Sequence, residues 1–293
     1  MYNFSYTVAE SLEHASVLLA GSMSAVAIAG GTDLLPRIYS GKCASQTLVD
    51  LLPLGLNDIS TDKGTTSVGA LTCLSAVIDA LECTGGPLRL LSISARNVGA
   101  CQTRSQATIG GNICTGNPSA DIAPALLALD ALLVLHGPYG RRTIGIQDFF
   151  LGPRKVGLQQ GEILTEIVIP KAKQAGPSGC GFLKIGRRKG MEISTANAAA
   201  VVTLDGEAIS DASIAVGTLA EIPKRLPLTE AYLMGKVFDE RTKKEAGDIM
   251  RMEISPRTSR RATQEYREAI APVLMSRVVQ AAIDDAKVQR YDD

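Results

Sequence analysis

Ile28-Ala29-Gly30-Gly31-Thr32-Asp33-Leu34 and, about 80 residues later, Ala107-Thr108-Ile109-Gly110-Gly111-Asn112 are the two stretches of sequence that decide the fold. Paired glycines let a backbone turn sharply and approach a ligand without a Cβ atom in between. Successive backbone N–H groups in such a turn can converge on an anion such as a diphosphate. Two such loops predict one long dinucleotide held from two sides, although neither has the G-x-G-x-x-G spacing of a Rossmann fold.

Parts of these motifs also have a purely structural interpretation. A tight turn before a helix explains Gly30-Gly31 equally well, with Thr32 or Asp33 as the N-cap. Asp121, which follows the second motif, fits the preference of the helix dipole for an acid in the first turn. Its functional interpretation is a carboxylate that accepts hydrogen bonds from ribose or ribityl hydroxyls.

The charge balance excludes one class of partner. The chain of 293 residues has 30 basic and 30 acidic residues, so its formal net charge is zero. Nucleic-acid binders normally carry a basic excess or a basic stripe, because phosphate neutralisation supplies most of their affinity. We therefore expect no nucleic-acid partner. A diphosphate cofactor remains compatible, since it needs only a few backbone N–H groups.

Hydropathy and cysteine spacing indicate where the protein is located in the cell and which redox or metal chemistry it could support. The most apolar long stretch, Ala123–Leu135, is interrupted by Asp130 and is too short to span a bilayer. The first residues lack the basic start and apolar run of a signal peptide, so we expect a cytoplasmic protein. Six cysteines without C-x-x-C spacing and two histidines predict free thiols and no metal site. Redox work would then need an organic cofactor.

Element patterns predict three successive units. Residues 1–55 alternate strand and helix as a small βαβ-type unit, with a helix over Val8–Ala20 and Thr7 as its N-cap. Residues 56–172 open with a strand pair and close with a strand at Glu162–Ile169.

The third predicted unit, residues 178–293, follows a Pro- and Gly-rich linker at Pro170–Gly179. It is predicted to be α+β, an antiparallel sheet followed by helices. The predicted strands are Phe182–Ile185, Ala198–Leu204 and Ser213–Val216, and the predicted helices are Thr229–Gly235, Arg241–Met252 and Arg260–Ala286. Apolar residues of the last helix, from Tyr266 to Val279, would form internal core, with some left for a partner.

The two glycine motifs, together with Gly161–Ile167 and Phe182–Arg188, resemble the flavoprotein subunits of molybdenum hydroxylases. That family includes the medium subunit of carbon monoxide dehydrogenase and the FAD domains of xanthine dehydrogenases and aldehyde oxidases. Residues 148–156 and 262–267 are most similar to bacterial xanthine dehydrogenase FAD subunits. The resemblance runs through the whole chain. It implies an α+β fold, a two-subdomain FAD-binding domain of the PCMH/vanillyl-alcohol-oxidase type followed by a small α+β C-terminal domain.

The resemblance also implies which residues bind FAD. The two motifs would hold the diphosphate, Val98 and Leu164 would lie beside the flavin, and Lys184 would reach it from the C-terminal domain. Lys155 is a weaker candidate, and for either lysine a solvated surface position is the alternative. The full implied set is Ala27, Ile28, Ala29, Gly30, Gly31, Thr32, Asp33, Leu34, Val98, Ala107, Thr108, Ile109, Gly110, Gly111, Asn112, Asp121, Lys155, Leu164 and Lys184. The family's Gln-Ile-Arg-Asn is replaced here by Gln102-Thr103-Arg104-Ser105, which keeps the arginine and loses the terminal amide.

The function implied is electron transfer. A molybdopterin-binding large subunit would oxidise the organic substrate, and [2Fe–2S] clusters on a small subunit would pass electrons to non-covalent FAD on this chain. FAD would then reduce NAD or another acceptor, and this chain would have no catalytic residue, no metal and no cluster of its own. The alternatives are a stand-alone flavoprotein reductase of the same fold and an FAD-free scaffold subunit. The sequence identifies neither the organic substrate, the acceptor nor the stoichiometry.

Overall fold

A three-stranded parallel sheet forms the first part of the protein. The computed structural model describes residues 4–43, 47–171, 176–188 and 190–289. Strands β1 (Ser5–Val8), β2 (Ala25–Ile28) and β3 (Thr47–Asp50) pair in the order β1-β3-β2, joined by helices α1 (Leu12–Ala20) and α2 (Leu34–Tyr39). The predicted βαβ-type unit is confirmed, and β2 ends immediately before the first glycine motif.

The predicted start of the first helix is wrong. Thr7 lies in β1, where it pairs with Val49, and α1 begins at Leu12. Ser11 is the N-cap, because its side chain accepts a hydrogen bond from the backbone N–H of His14 at 3.1 Å. The pattern misled because Val8, at the end of β1, and Leu12, at the start of α1, are four residues apart, which is also helical spacing.

A five-stranded antiparallel sheet forms the second part. Its order is β4-β5-β10-β6-β7, where β4 is Ile59–Asp62, β5 Thr65–Gly69, β6 Leu132–Gly137, β7 Gly140–Gly145 and β10 Ile163–Ile169. The helices between β5 and β6 are α3 (Leu74–Leu81), α4 (Arg89–Arg96), α5 (Cys101–Arg104), α6 (Ile109–Cys114) and α7 (Ile122–Ala128), and a small hairpin consists of β8 (Phe150–Gly152) and β9 (Lys155–Val156). The second glycine motif, predicted to be a loop, is the start of α6.

The third part is a four-stranded antiparallel sheet covered by helices, as predicted. Its strands are β11 (Ser178–Ile185), β12 (Ala196–Asp205), β13 (Ala208–Gly217) and β14 (Lys224–Arg225), in that order, and its helices are α8 (Pro227–Leu233), α9 (Glu240–Glu253) and α10 (Gln264–Gln289). Leu274, Val278 and Val279 of α10 are buried in the core, whereas Tyr266 and Val273 are exposed. Part of the predicted linker, residues 172–175, lies outside the described residues.

One hydrophobic core joins the second and third parts. Every residue of α7 is buried, and the cluster that contains α7 also includes Phe182, Ala199 and Ala215 from the C-terminal sheet. The three sheets fall inside the three predicted ranges 1–55, 56–172 and 178–293, whose boundaries as independent domains stay a prediction. No helix in the described part of the chain is long and apolar enough to cross a membrane.

Candidate functional site

A cleft of about 530 Å³ lies where the three parts meet, a size typical of small-molecule sites. Its lining comes from residues 26–34, which include most of β2 and the segment after it, from residues between 98 and 121 around α5 and α6, and from residues 162–164 at the start of β10. Residues 191–193 of the C-terminal domain complete it. The two glycine motifs, distant in sequence, thus line the same cleft.

The first glycine motif offers a row of backbone donors. Gly30, Gly31, Thr32 and Asp33 follow β2 and line the cleft. Within the described ranges, none of their four N–H groups has a hydrogen-bond acceptor in the protein. Gly31 has a φ of +67°, in the left-handed region that favours glycine. Consecutive open N–H groups suit an anionic ligand such as a diphosphate.

The N–H groups of the second motif, in contrast, are bonded within the chain. Gly110 donates to the Ala70 carbonyl at 2.8 Å, and Gly111 donates to the Thr108 side-chain oxygen at 3.1 Å, which makes Thr108 the N-cap of α6. The predicted loop is therefore wrong, and this motif faces the cleft mainly with side chains. Asn112 lines the cleft, and its buried Oδ1 has no partner in the described protein. Because buried polar atoms are normally bonded, a hydroxyl donor of a ligand fits that position.

The glycines of the two motifs have different structural roles. A Cβ atom on Gly30 would lie 1.9 Å from the carbonyl oxygen of Gln106, and one on Gly110 would lie 2.7 Å from Ala70. These two glycines therefore allow backbones to pack together. A Cβ atom on Gly111 would meet only the Thr108 hydroxyl, at 2.8 Å, within 4 Å. Gly111 is thus the glycine that leaves space open in the cleft.

Asp121 and Lys184 form a buried ion pair between the second part of the fold and the C-terminal third part. Lys184 Nζ lies 2.6 Å from Asp121 Oδ2 and also donates to the Asn97 carbonyl at 2.8 Å. Asp121 Oδ1 accepts from Ser194 Oγ at 2.5 Å and from Asn197 Nδ2 at 2.7 Å. The surface alternative for Lys184 is wrong, since its side chain is 11% exposed. The Asp121 side chain makes no capping bond to α7 and serves instead as an interdomain anchor on the cleft wall.

Most of the predicted binding residues do line the cleft. Val98 and Leu164 are among them, and the exceptions are Ile109, Lys155 and Lys184. Ile109 is fully buried in the core, and Lys155 is exposed on β9, as the surface alternative expected. Whether each lining residue contacts a cofactor stays a prediction.

The retained arginine of the altered segment 102–105 has a structural role. Arg104 Nη1 donates to the Val98 carbonyl at 3.0 Å, close to the Gly99 carbonyl. Arg104 therefore holds in place the turn that presents Val98 to the cleft. No amide at residue 105 takes part in this contact.

Sequence reasoning missed two ion pairs that shape the cleft. Arg154 Nη1 lies 3.1 Å from Asp33 Oδ2 and ties the β8–β9 hairpin to the first motif across 121 residues. Arg142 binds Glu162 through two bonds of 2.6 and 2.7 Å. The hydrogen bonds from Arg142 hold the pKa of Glu162 below its ordinary value of 4.5. The two members of each pair lie far apart in the sequence, so no local sequence pattern could have revealed either pair.

Among the residues that the structure describes, Cys114 is the one thiol that lines the cleft. Desolvation by burial raises its pKa to about 12. The thiol therefore stays protonated near neutral pH, and a protonated thiol is a poor nucleophile. Within the described ranges no disulfide forms, and no group of His, Cys, Asp or Glu side chains is arranged to hold a metal ion.

Comparison with known proteins gives matches over both domains. Residues 2–172 match the family model described as the FAD binding domain in molybdopterin dehydrogenase, and residues 181–282 match the CO dehydrogenase flavoprotein C-terminal domain. The chain is 32% identical to a putative xanthine dehydrogenase FAD-binding subunit of Escherichia coli K12, with 97% of each chain covered. It is 30% identical to the carbon monoxide dehydrogenase medium chain of Hydrogenophaga pseudoflava, covering 95% of this chain and 96% of that one.

A solved structure extends this likeness to the fold. Carbon monoxide dehydrogenase from Hydrogenophaga pseudoflava, in a form lacking the Mo-pyranopterin moiety of its molybdenum cofactor, matches with a TM-score of 0.92 and 30% identity. The match covers 97% of this chain and 98% of that chain.

Proposed function

The chain belongs to the FAD-binding subunits of the molybdenum hydroxylases, and on that premise we propose that it accepts electrons from [2Fe–2S] clusters of a partner subunit and passes them to NAD or another acceptor. It is an oxidoreductase subunit with an FAD-binding domain. When bound, FAD supplies the redox chemistry, and the protein supplies binding, orientation and electrostatics.

The observation that carries the proposal is the open row of N–H groups at Gly30, Gly31, Thr32 and Asp33. In the same cleft, Gly111 leaves space and Asn112 Oδ1 lacks a donor among the described residues. Together these groups form an anion-binding side and a hydroxyl-accepting side within one cleft, which fits the diphosphate and the polyol of FAD. Such a cleft disfavours the FAD-free scaffold.

The ionisable groups of the cleft favour electron transfer over acid–base catalysis. Each of its four carboxylates already contacts a basic side chain: Asp33 contacts Arg154, Asp121 contacts Lys184, Glu162 contacts Arg142 and Glu192 contacts Arg188. A stand-alone reductase would need its own proton donor for the organic substrate, so this set of paired carboxylates disfavours that alternative.

The partners follow from the family. Relatives are named FAD-binding subunits and medium chains, so we infer a complex with a molybdopterin-binding large subunit and a [2Fe–2S] small subunit. Lys184 and Asp121 would fix the C-terminal domain against the cleft, and Arg104 would position Val98 beside the flavin. A cytoplasmic location stays a prediction.

The proposal is tested with the complex purified from its native host. Gly111→Val should remove FAD while the partner subunits still co-purify. Anaerobic addition of organic substrate should then bleach the iron–sulfur absorbance as in the wild type, but acceptor reduction should be lost. Gly85→Val is the matched control, because a Cβ atom there meets nothing within 4 Å. Full acceptor reduction by the flavin-free complex would disprove the electron-transfer role.

A further inference from the structure

Arg154, at the turn of the β8–β9 hairpin, holds Asp33 of the first glycine motif through both ends of its guanidinium group. Nη1 lies 3.1 Å from Asp33 Oδ2, and Nη2 lies 3.4 Å from Asp33 Oδ1. Paired contacts of this kind fix direction as well as distance, because the guanidinium fork matches the two carboxylate oxygens. Arg37 Nη1 is farther from the same carboxylate, at 3.7 Å. Arg154 is therefore the closer of the two basic partners that the structure describes for Asp33.

The backbone of Arg154 packs against the turn that follows α6. Its N–H donates to the Gly116 carbonyl at 2.8 Å. Gly116 has a φ of +55°, and a Cβ atom there would lie 3.1 Å from Arg154 Cα. Arg154 itself has a φ of +59°, a conformation that residues with a Cβ atom rarely adopt. The hairpin is therefore joined to the second part of the fold near α6, and its arginine occupies a backbone conformation that glycine adopts more easily.

These contacts place Arg154 between two segments of the cleft lining. Asp33 belongs to the lining supplied by the first part, and Thr115 and Asn117, on either side of Gly116, belong to the lining supplied by the second. Arg154 is not itself among the described residues that line the cleft. Any effect of Arg154 on a bound cofactor is therefore transmitted through Asp33 or through the turn at Gly116.

Hydrophobic packing fixes α2, the helix after the first motif, within the first part of the fold. Ile28, Ile38 and Leu48 form a small separate core, and Leu34 and Leu35 of α2 pack against it. All the described residues of this core, and those packed against it, lie between residues 4 and 48. This core therefore holds α2 to the first sheet and does not set the distance between the first motif and α6.

The row of open N–H groups is tied to the second part of the fold at both ends. At Gly30 the backbone packs so closely on Gln106 that a Cβ atom would lie 1.9 Å from the Gln106 carbonyl oxygen. At Asp33 the tie is the ion pair with Arg154. If the ion pair were lost, of these two ties only the one at Gly30 would remain. The N–H groups that follow Gly30 would then be free to turn away from the cleft.

We propose that Arg154 is a positioning residue for the FAD cofactor. Through Asp33 it holds residues 30–33 in the conformation in which their N–H groups converge on the diphosphate. A loop that is already held in its binding conformation loses less entropy when the ligand binds. Loss of the ion pair should therefore weaken FAD binding, chiefly through faster dissociation. The inference rests on the proposed function, since it takes the first glycine motif as the diphosphate site.

The test compares the rates at which the complete complex loses FAD. The FAD-loaded complex is diluted, free flavin is removed by rapid filtration at intervals, and the absorbance of the flavin that stays with the protein is measured. Arg154→Gly removes the guanidinium group and is compatible with the left-handed backbone, so the hairpin turn is retained. It should speed FAD dissociation by about five-fold, the scale of one partly exposed ion pair. Arg154→Lys, which keeps the charge and loses the fork, should give a smaller increase.

Two comparisons show whether Arg154 acts through Asp33. Asp33→Ala breaks the same pair from the other side and should itself speed FAD loss, so that adding Arg154→Gly has little further effect. Added salt should narrow the difference between the wild type and Arg154→Gly, because the paired side chains are 39% and 36% exposed and are screened. Arg141→Ala is the control, since it breaks a partly exposed ion pair, 2.8 Å from Glu166, outside this cleft. It should leave the rate of FAD loss unchanged.

The outcomes separate this inference from the proposed function. Unchanged FAD dissociation in Arg154→Gly, with flavin still bound, would overturn the positioning role and leave electron transfer intact. An equal increase in Arg141→Ala, or an undiminished effect of Arg154→Gly in the Asp33→Ala background, would overturn it in the same way. If Arg154→Gly does not fold, Asp33→Ala decides in its place, and an unchanged rate there overturns the role. A wild-type complex that carries no flavin would instead contradict the proposed function, and the inference with it.

Discussion

Lys184 Nζ and Asp121 Oδ2 lie 2.6 Å apart and join β11 of the C-terminal sheet to the start of α7 in the FAD-binding domain. Their side chains are 11% and 6% exposed, so the pair is largely shielded from water. Asp121 also lines the cleft, which means that the position of the C-terminal domain and the shape of the cleft wall depend on the same contact.

Breaking this pair should destabilise the protein strongly. Lys184→Met leaves the Asp121 carboxylate buried without a countercharge, a change that costs about 3–5 kcal/mol in comparable cases. Urea unfolding of the wild type and the variant measures the loss. Lys243→Met is the control, because its partner Glu240 is 91% exposed and exposed pairs contribute at most about 1 kcal/mol. Adding Asp121→Asn to Lys184→Met should recover part of the loss. Equal losses in Lys184→Met and Lys243→Met would show that the buried pair is not an anchor.

The two glycines of α6 should respond differently to substitution. Gly111→Val should abolish FAD binding with the C-terminal domain still folded, since the new side chain enters the cleft and its Cβ atom meets only the Thr108 hydroxyl, the N-cap of α6, within 4 Å. Gly110→Val should impair folding itself, because its Cβ atom would lie 2.7 Å from Ala70. The flavin-to-protein ratio and circular dichroism distinguish the two effects. Normal flavin content in Gly111→Val would mean that α6 does not border the cofactor.

FAD should be bound non-covalently. Neither glycine motif contains a histidine, and the pKa of Cys114, raised to about 12, keeps its thiol protonated. Acid precipitation should release all the flavin into the supernatant, and Cys114→Ala should retain full flavin content. Yellow colour that stays with the protein pellet, and is lost in Cys114→Ala, would demonstrate a covalent link.

Acidification should weaken the Arg142–Glu162 pair. The hydrogen bonds from Arg142 hold the pKa of Glu162 below 4.5, so the pair adds stability above about pH 4.5. That stability is lost as the pH falls through the lowered pKa, where the carboxylate takes up a proton. As the pH is lowered through this acidic range, the melting temperature of Glu162→Gln should therefore fall less steeply than that of the wild type. Parallel pH profiles for the two proteins would show that the pair contributes nothing.

Periodic patterns predicted the elements whose stabilising contacts are local. The helix expected at Arg241–Met252 is observed at Glu240–Glu253, because its amphipathic spacing and the Asp239 N-cap lie within the same short segment. Helix α6 was missed, since two glycines lower helix propensity and its start depends on bonds to Ala70 and Thr72. Strand β7 was also missed, as the polar residues of an exposed edge strand give no apolar alternation.

The candidate site could be predicted in part for the same reason. Paired glycines mark where backbones come close, and the motifs do meet, at Gly30 and Gln106. Two features of the site depend on contacts between distant segments, which no local pattern contains. One is which glycine motif keeps its N–H groups open, and the other is the pairing of Asp121 with Lys184.

If this chain only transfers electrons, the organic substrate should have no effect on it in isolation. The isolated, FAD-loaded chain is mixed anaerobically with xanthine or an aldehyde and an acceptor dye, and the assay is repeated with the complete complex. We predict no substrate-dependent dye reduction by the isolated chain, slow reduction when NADH is the donor, and substrate-dependent reduction only by the complex. Dye reduction by the isolated chain with xanthine or the aldehyde would contradict the electron-transfer role.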